Sequence, residues 1–185
     1  MGYSRSKSPA RLTPEALNEA ALFYLGRYAS SSGNLRQVLL RKIQRSTRHY
    51  GDDPAPLIAA IDGVVAHYVG NGAVNDALYA ETQTRKLRRR GGSGRIILQR
   101  LAAKGIPADI IAQTAPELKD VSEDRAAAIL FARRRRLGPF RQSARDENRQ
   151  RDMAALGRAG FDYQVAAAIM DAADVEALDD LIENT

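Results

Sequence analysis

One helix ending occurs twice in this chain. Leu101-(x)2-Lys104-Gly105-Ile106-Pro107-(x)2-Ile110 lines up with Leu156-(x)2-Ala159-Gly160-Phe161-Asp162-(x)2-Val165. In each, a leucine closes an amphipathic run and glycine supplies the left-handed residue that stops a helix. An apolar residue then packs back, and a helix-starting residue follows. Upstream, Ser32-Gly33-Asn34-Leu35 resembles Ser93-Gly94-Arg95-Ile96. Roughly three helices fall in each ~45–60 residues, the spacing of a helical repeat array. Such stops are common enough that a single irregular helical bundle is the competing arrangement. No alternating strand pattern occurs, so the expected fold is all-α.

The helices can be placed from their starts and stops. Thr13-Pro14-Glu15 opens the first: threonine caps, proline suits the first turn, and glutamate meets the positive end of the dipole. Leu17, Ala21, Tyr24, Leu25 and Tyr28 share one face, and Ser30 to Asn34 breaks the run. A second helix carries Leu35, Val38, Leu39 and Ile43 and ends near Gly51. A third carries Leu57, Ile58, Ile61, Val64, Val65 and Tyr68. Asn75-Asp76 opens a fourth, Gly91-Gly92-Ser93-Gly94 breaks it, and Ile97, Leu98 and Leu101 lie on the fifth. Ile110, Ile111 and Leu118 follow Pro107, and Ser122-Glu123-Asp124 caps the next group. The expected limits are a disordered basic tail over 1–12 and three-helix units over 13–71, 72–120 and 121–185, the last with an acidic end from Asp174 to Glu183.

Charge is distributed unevenly. The 185 residues carry a net charge of +6, and no acidic residue lies between Thr82 and Ala108. A run this one-signed repels itself unless an anion is near, which suits phosphates or a carboxylate-rich protein face. The candidate binding surface is Arg85, Arg88, Arg89, Arg90, Arg95, Arg100 and Lys104. Arg133, Arg134, Arg135 and Arg136 form a second basic set. Four consecutive positions span all sides of a helix, so these cannot all face one partner. The plain alternative is a solvated surface rich in arginine.

Nothing assembles a catalytic set. With no cysteine, disulfides, thiolate catalysis and zinc–sulfur sites are excluded. His49 and His67 have no second ligand at metal spacing, and Asp52-Asp53 fits a turn or cap. Gly91 to Gly94 precedes a helix and offers N–H groups for a phosphate, but the P-loop pattern and a preceding strand are missing. Tyr24, Tyr28, Tyr50, Tyr68 and Tyr79 suit core packing better than base stacking. No catalytic residue, metal or cofactor is expected. The basic N-terminus is followed by no apolar run, and no stretch approaches the ~20 apolar residues of a membrane span. The expected setting is cytoplasmic, without a membrane partner.

The middle of the chain resembles the RecX family of bacterial recombination regulators. Asn71-Gly72-Ala73-Val74-Asn75-Asp76-Ala77-Leu78-Tyr79-Ala80-Glu81 is similar to that family's G-x-[IL]-[DN]-D-x-x-[FY]-A-E signature. Arg85 and Arg89-Arg90-Gly91 stand at its basic turn, and Ile97, Leu101 and Lys104-Gly105-Ile106 at its I-x3-L-x2-KG-[IV] helix end. Gly160-Phe161 with Tyr163 matches its final turn, with Ala159 in place of the usual arginine. The likeness covers roughly Pro14 to Ala173. The first unit lacks the KGF-type turn, and the third carries Gly138 to Arg151 as an extension. The resemblance implies an elongated all-α tandem array of three three-helix units. It also implies a non-enzymatic inhibitor of the RecA recombinase, bound to the RecA–DNA filament and acting on its ATPase, strand exchange and co-protease activity; separately, a monomer is expected. The competing function is a helical module that binds DNA directly, without RecA.

Overall fold

The computed structural model describes residues 9–178. Among them are nine α-helices and no strand: α1 Pro14–Leu25, α2 Ser32–Tyr50, α3 Ala55–Gly70, α4 Asp76–Arg88, α5 Gly94–Ala103, α6 Ala108–Leu118, α7 Val121–Arg135, α8 Arg145–Arg158 and α9 Tyr163–Asp171. A 3-10 turn, Gly138–Phe140, stands between α7 and α8. The order gives three successive trios. None of the described helices is long and apolar enough to cross a membrane.

Packing gathers the trios into two compact bodies. The first contains the chain up to Tyr79 together with Lys104–Ile106; the second contains Ala80–Ala103 and the chain from Pro107 onward. The expected break near residue 120 therefore falls inside the second body.

In the first body, Leu17, Ala21, Leu35, Leu39, Ile43, Leu57, Ile61, Tyr68 and Val74 form the core. All but Val74 lie on α1, α2 and α3 at four- and seven-residue intervals, the spacing of a helix with one buried face. Thr13 caps α1 as expected, its hydroxyl accepting from Ala16 N–H at 3.2 Å. The helix stops at Leu25, however, so Tyr28 lies beyond it and is exposed. The assumed tail reaches less far than residue 12. Residues 1–8 lie outside the described chain, but from Pro9 the backbone is held. The Tyr50 hydroxyl donates to the Pro9 carbonyl, Leu12 N–H donates to Ser46 Oγ, and Arg11 pairs with Asp52. Hydrogen bonding from Arg11 holds the Asp52 carboxyl below its ordinary range.

Ser31, not Ser32, caps α2: its buried hydroxyl accepts from Asn34 N–H at 3.1 Å and donates to the carbonyl of Lys104. The Asp76 carboxylate takes the next N–H, that of Ser32, at 2.8 Å. The second body repeats this joint. Ser93 opens α5, its hydroxyl donates to the carbonyl of Ala159 at 2.7 Å, and the Asp124 carboxylate takes the following N–H, that of Gly94, at 2.8 Å. Lys104 and Ala159 are the residues before the two aligned glycines, Gly105 and Gly160, and both glycines have positive φ. The repeat in the sequence is thus a repeat in hydrogen bonding, with its register moved by one residue. Ser31 answers to Ser93, so fully buried Leu35 corresponds to Ile97, not Ile96, and Leu39 to Leu101.

The second core holds Ala127, Ala128, Ile129, Ala132, Leu137, Leu156, Phe161, Val165, Ala166, Ile169, Met170 and Leu178. Asp120 caps α7 by accepting from Ser122 N–H at 2.8 Å, two residues before the expected Ser122 to Asp124 cap. Of the acidic end, Asp174 accepts from Ala177 N–H; Asp179, Asp180 and Glu183 lie outside the described residues.

Candidate functional site

The basic residues separate into those that hold the fold and those that face solvent. Arg88, expected on the binding surface, belongs to the first kind. Its side chain is only 13% exposed and pairs with Asp124, itself 19% exposed. It also donates to the carbonyls of Gly92 at 3.2 Å and Leu118 at 3.3 Å. Asp124 meanwhile occupies the N-terminus of α5, so the phosphate site that Gly91 to Gly94 offered is filled by an internal carboxylate. Gly94 has to be glycine there, because a Cβ would overlap the Leu118 carbonyl.

Arg85 is exposed and paired with Glu81 one turn earlier, an arrangement worth only a few tenths of a kcal/mol. Arg95 donates to the Gly157 carbonyl at 3.0 Å. Arg89 is exposed at the end of α4. Lys104 is exposed and belongs to the first body, so it is not grouped with the arginines of the second.

Arg90 and Arg100 come together with two members of the other basic set. A trough of about 370 Å³ in the second body is lined by half-buried Leu87, Ile96 and Phe131, taken as its floor, and by exposed Arg90, Arg100, Arg134, Arg135 and Arg158. A neighbouring hollow of about 580 Å³ shares Phe131, Arg135, Arg158 and Ala159 with it and adds Arg141 and Arg151. Arg135 and Arg158 thus belong to both.

Local structure explains why arginines converge here. Arg90 follows the C-terminus of α4, Arg134 and Arg135 lie in the last turn of α7, and Arg158 ends α8. Cations are favoured at helix C-termini, where the backbone carbonyls concentrate negative charge. Gly91 lets the chain leave α4 against α7: its φ is 71°, and a Cβ would stand 2.8 Å from the Ala127 carbonyl and from Phe131 N. That approach brings Arg134 to the Arg90 carbonyl, to which it donates at 2.6 Å. Arg135 lies over the Phe131 ring at 5.8 Å and Arg133 over the Phe140 ring at 5.6 Å. Arg136 takes the left-handed cap position with φ 53°.

Among the described residues, Arg90, Arg100, Arg134, Arg135 and Arg158 have no carboxylate partner. The only acid of the paired hollows is Asp152, which is 1% exposed and already engaged. It accepts from Arg141 Nε and Nη2 at 2.7 Å and from Gly138 N–H at 2.9 Å. Burial pushes the Asp152 carboxyl up, but the Arg141 guanidinium and the Gly138 N–H outweigh it and hold the carboxyl below the ordinary range. The trough therefore presents unpaired cations over an apolar floor. It offers anion binding and lacks the paired acid and base of a hydrolytic site. Among the described residues, no cluster of histidine and carboxylates could hold a metal.

Comparison with known proteins is decisive about kinship. Residues 75–114 match the model of the RecX second three-helix domain. The regulatory protein RecX of Myxococcus xanthus (strain DK1622) is 44% identical over 168 residues, covering 89% of each chain. The chain belongs to the RecX family. The regulatory protein RecX of Agrobacterium fabrum (strain C58 / ATCC 33970) is 30% identical over 179 residues, covering 96% of this chain and 94% of its own. The crystal structure of RecX from Lactobacillus salivarius superposes with a TM-score of 0.60 over 90% of this chain and 96% of that one. At 20% identity it speaks for the fold alone, a helical repeat array. RecX membership makes the chain one of a family of regulatory proteins and agrees with the middle-unit motif.

Arg158 was not foreseen as part of the basic surface. Its signal was present in the sequence: it stands two residues before the second aligned glycine, in the last turn of a helix whose end had already been recognised.

Proposed function

We propose that this protein is a non-enzymatic regulator of RecA that binds the RecA–DNA filament and lowers its ATPase, strand-exchange and co-protease activities. The observation that carries this reading is the trough: arginines from the ends of α4, α5, α7 and α8 face solvent without carboxylate partners, in a chain of the RecX family. Arginine forks pair bidentately with carboxylates or phosphates, so this face suits a filament that displays both. A repeat array places modest contacts along a repeating polymer, where they reinforce one another as linked sites. The protein acts in the cytoplasm as a monomer, without a cofactor. Arg89, Arg90, Arg95 and Arg100 form the contact face with Arg134, Arg135 and Arg158.

Arg89→Glu combined with Arg90→Glu tests this. Helicity is expected to be unchanged and RecA inhibition lost; full inhibition by the double variant would remove this face from the account. The cation cluster also favours a second reading, in which the protein binds DNA without RecA. A steep fall of DNA affinity with salt in the absence of RecA supports that reading.

A further inference from the structure

We infer that the arginine trough takes an acidic polypeptide segment with an apolar anchor side chain, displayed by the protein it regulates. This rests on the reading of the basic face as the contact surface and specifies what that face holds.

The floor and the rim point to different parts of one ligand. Half-buried Leu87, Ile96 and Phe131 supply the apolar lining of the trough, and exposed Arg90, Arg100, Arg134 and Arg158 supply its charge, within about 370 Å³. A recess with an apolar base is filled well by a leucine or phenylalanine side chain, and its burial adds affinity that charge alone does not. Carboxylates flanking that anchor would meet the rim, where forked pairing gives direction as well as attraction.

A nucleic acid fits less well. Single strands are held by aromatic faces on which bases stack. The hollows offer one ring, Phe131, where a bound strand needs successive aromatic faces. Duplex phosphates follow a convex backbone and would bridge the rim, leaving the floor open to water. Nor does the backbone supply donors at the helix ends nearby. The N–H groups of Gly91, Gly92, Arg136, Leu137 and Gly160 are all bonded to carbonyls of the preceding turn.

The test uses the full chain and a short fluorescein-labelled peptide of aspartate and glutamate carrying one phenylalanine and one leucine. A matched peptide has serine at both apolar positions, and a labelled oligo-dT is the third probe. The anchored peptide is expected to bind at least about tenfold more tightly than the serine peptide. Arg134→Gln with Arg158→Gln should weaken it by a similar factor. Ala159→Leu, which narrows the trough without changing charge, should also weaken it while leaving the thermal melting curve cooperative. Equal binding of the two peptides, or oligo-dT binding more tightly than either and insensitive to Ala159→Leu, would overturn the inference. These outcomes are separable from failure of the contact face itself. That failure would show as intact RecA inhibition by Arg89→Glu with Arg90→Glu, whatever the peptides do.

Discussion

The Ser93 hydroxyl donates to the carbonyl of Ala159 at 2.7 Å, across two helix trios, and Ser31 makes the same bond to Lys104. Each serine is fully buried, and each stands at the start of a helix. The hydroxyl proton satisfies a carbonyl left unpaired where a glycine stops another helix, while the oxygen meets an N–H of its own first turn. A small side chain that both donates and accepts is required. Ser93→Ala should therefore destabilise the protein by about 1–2 kcal/mol, from a lost cap and a buried carbonyl without its donor. Ser31→Ala should cost a similar amount. Urea denaturation curves of the two variants check this, with the transition midpoint lowered in both.

Arg88 and Arg89 are neighbours with opposite roles. Arg88→Ala leaves Asp124 and two carbonyls without their cation, and loss of one partner of a largely buried pair costs about 3 kcal/mol. Arg89→Ala, at an exposed position, should change stability by less than about 0.5 kcal/mol. Thermal melts of the two variants distinguish them: a large drop for Arg88→Ala, almost none for Arg89→Ala.

Asp152 gives stability a dependence on pH. Its carboxyl is held below the ordinary range in the folded chain, whereas an unfolded aspartate titrates near about 3.9. The unfolded chain binds this proton first as pH falls, so the stabilisation is complete above about pH 5 and is lost below about pH 4. Asp152→Asn should be less stable than the natural chain by about 3 kcal/mol near neutral pH. The gap should narrow as the pH falls through the folded value. Urea melts of both proteins across that window measure the gap directly.

Helix positions and stops were legible because their signals are local. Thr13-Pro14-Glu15 opens α1 and Gly105 ends α5, each within one turn of the residue that causes it. The repeat was legible for the same reason, but its register was not. Ser31 and Ser32 are chemically identical, and only the partner decides between them: Ser31 meets Lys104 and Ser32 meets Asp76. Charge sign identified a basic region without identifying which arginines face water. Arg88 turns inward because Asp124 and the Leu118 carbonyl await it, and both come from residues distant in sequence. The trough joins α4, α5, α7 and α8, so no single stretch displays it. Arg141 and Asp152 are joined around an irregular turn rather than at a helical interval, which leaves no periodic signal.

In the proposed function, the protein regulates a RecA filament through its arginine face. RecA's ATPase on single-stranded DNA tests it most directly, with the purified protein titrated well below one copy per RecA. The account predicts a falling rate at those ratios, and no fall when Arg89→Glu and Arg90→Glu are introduced together. An unchanged rate at every ratio, alongside salt-sensitive binding of the protein to bare DNA, would contradict it and leave a direct DNA-binding protein on the same fold.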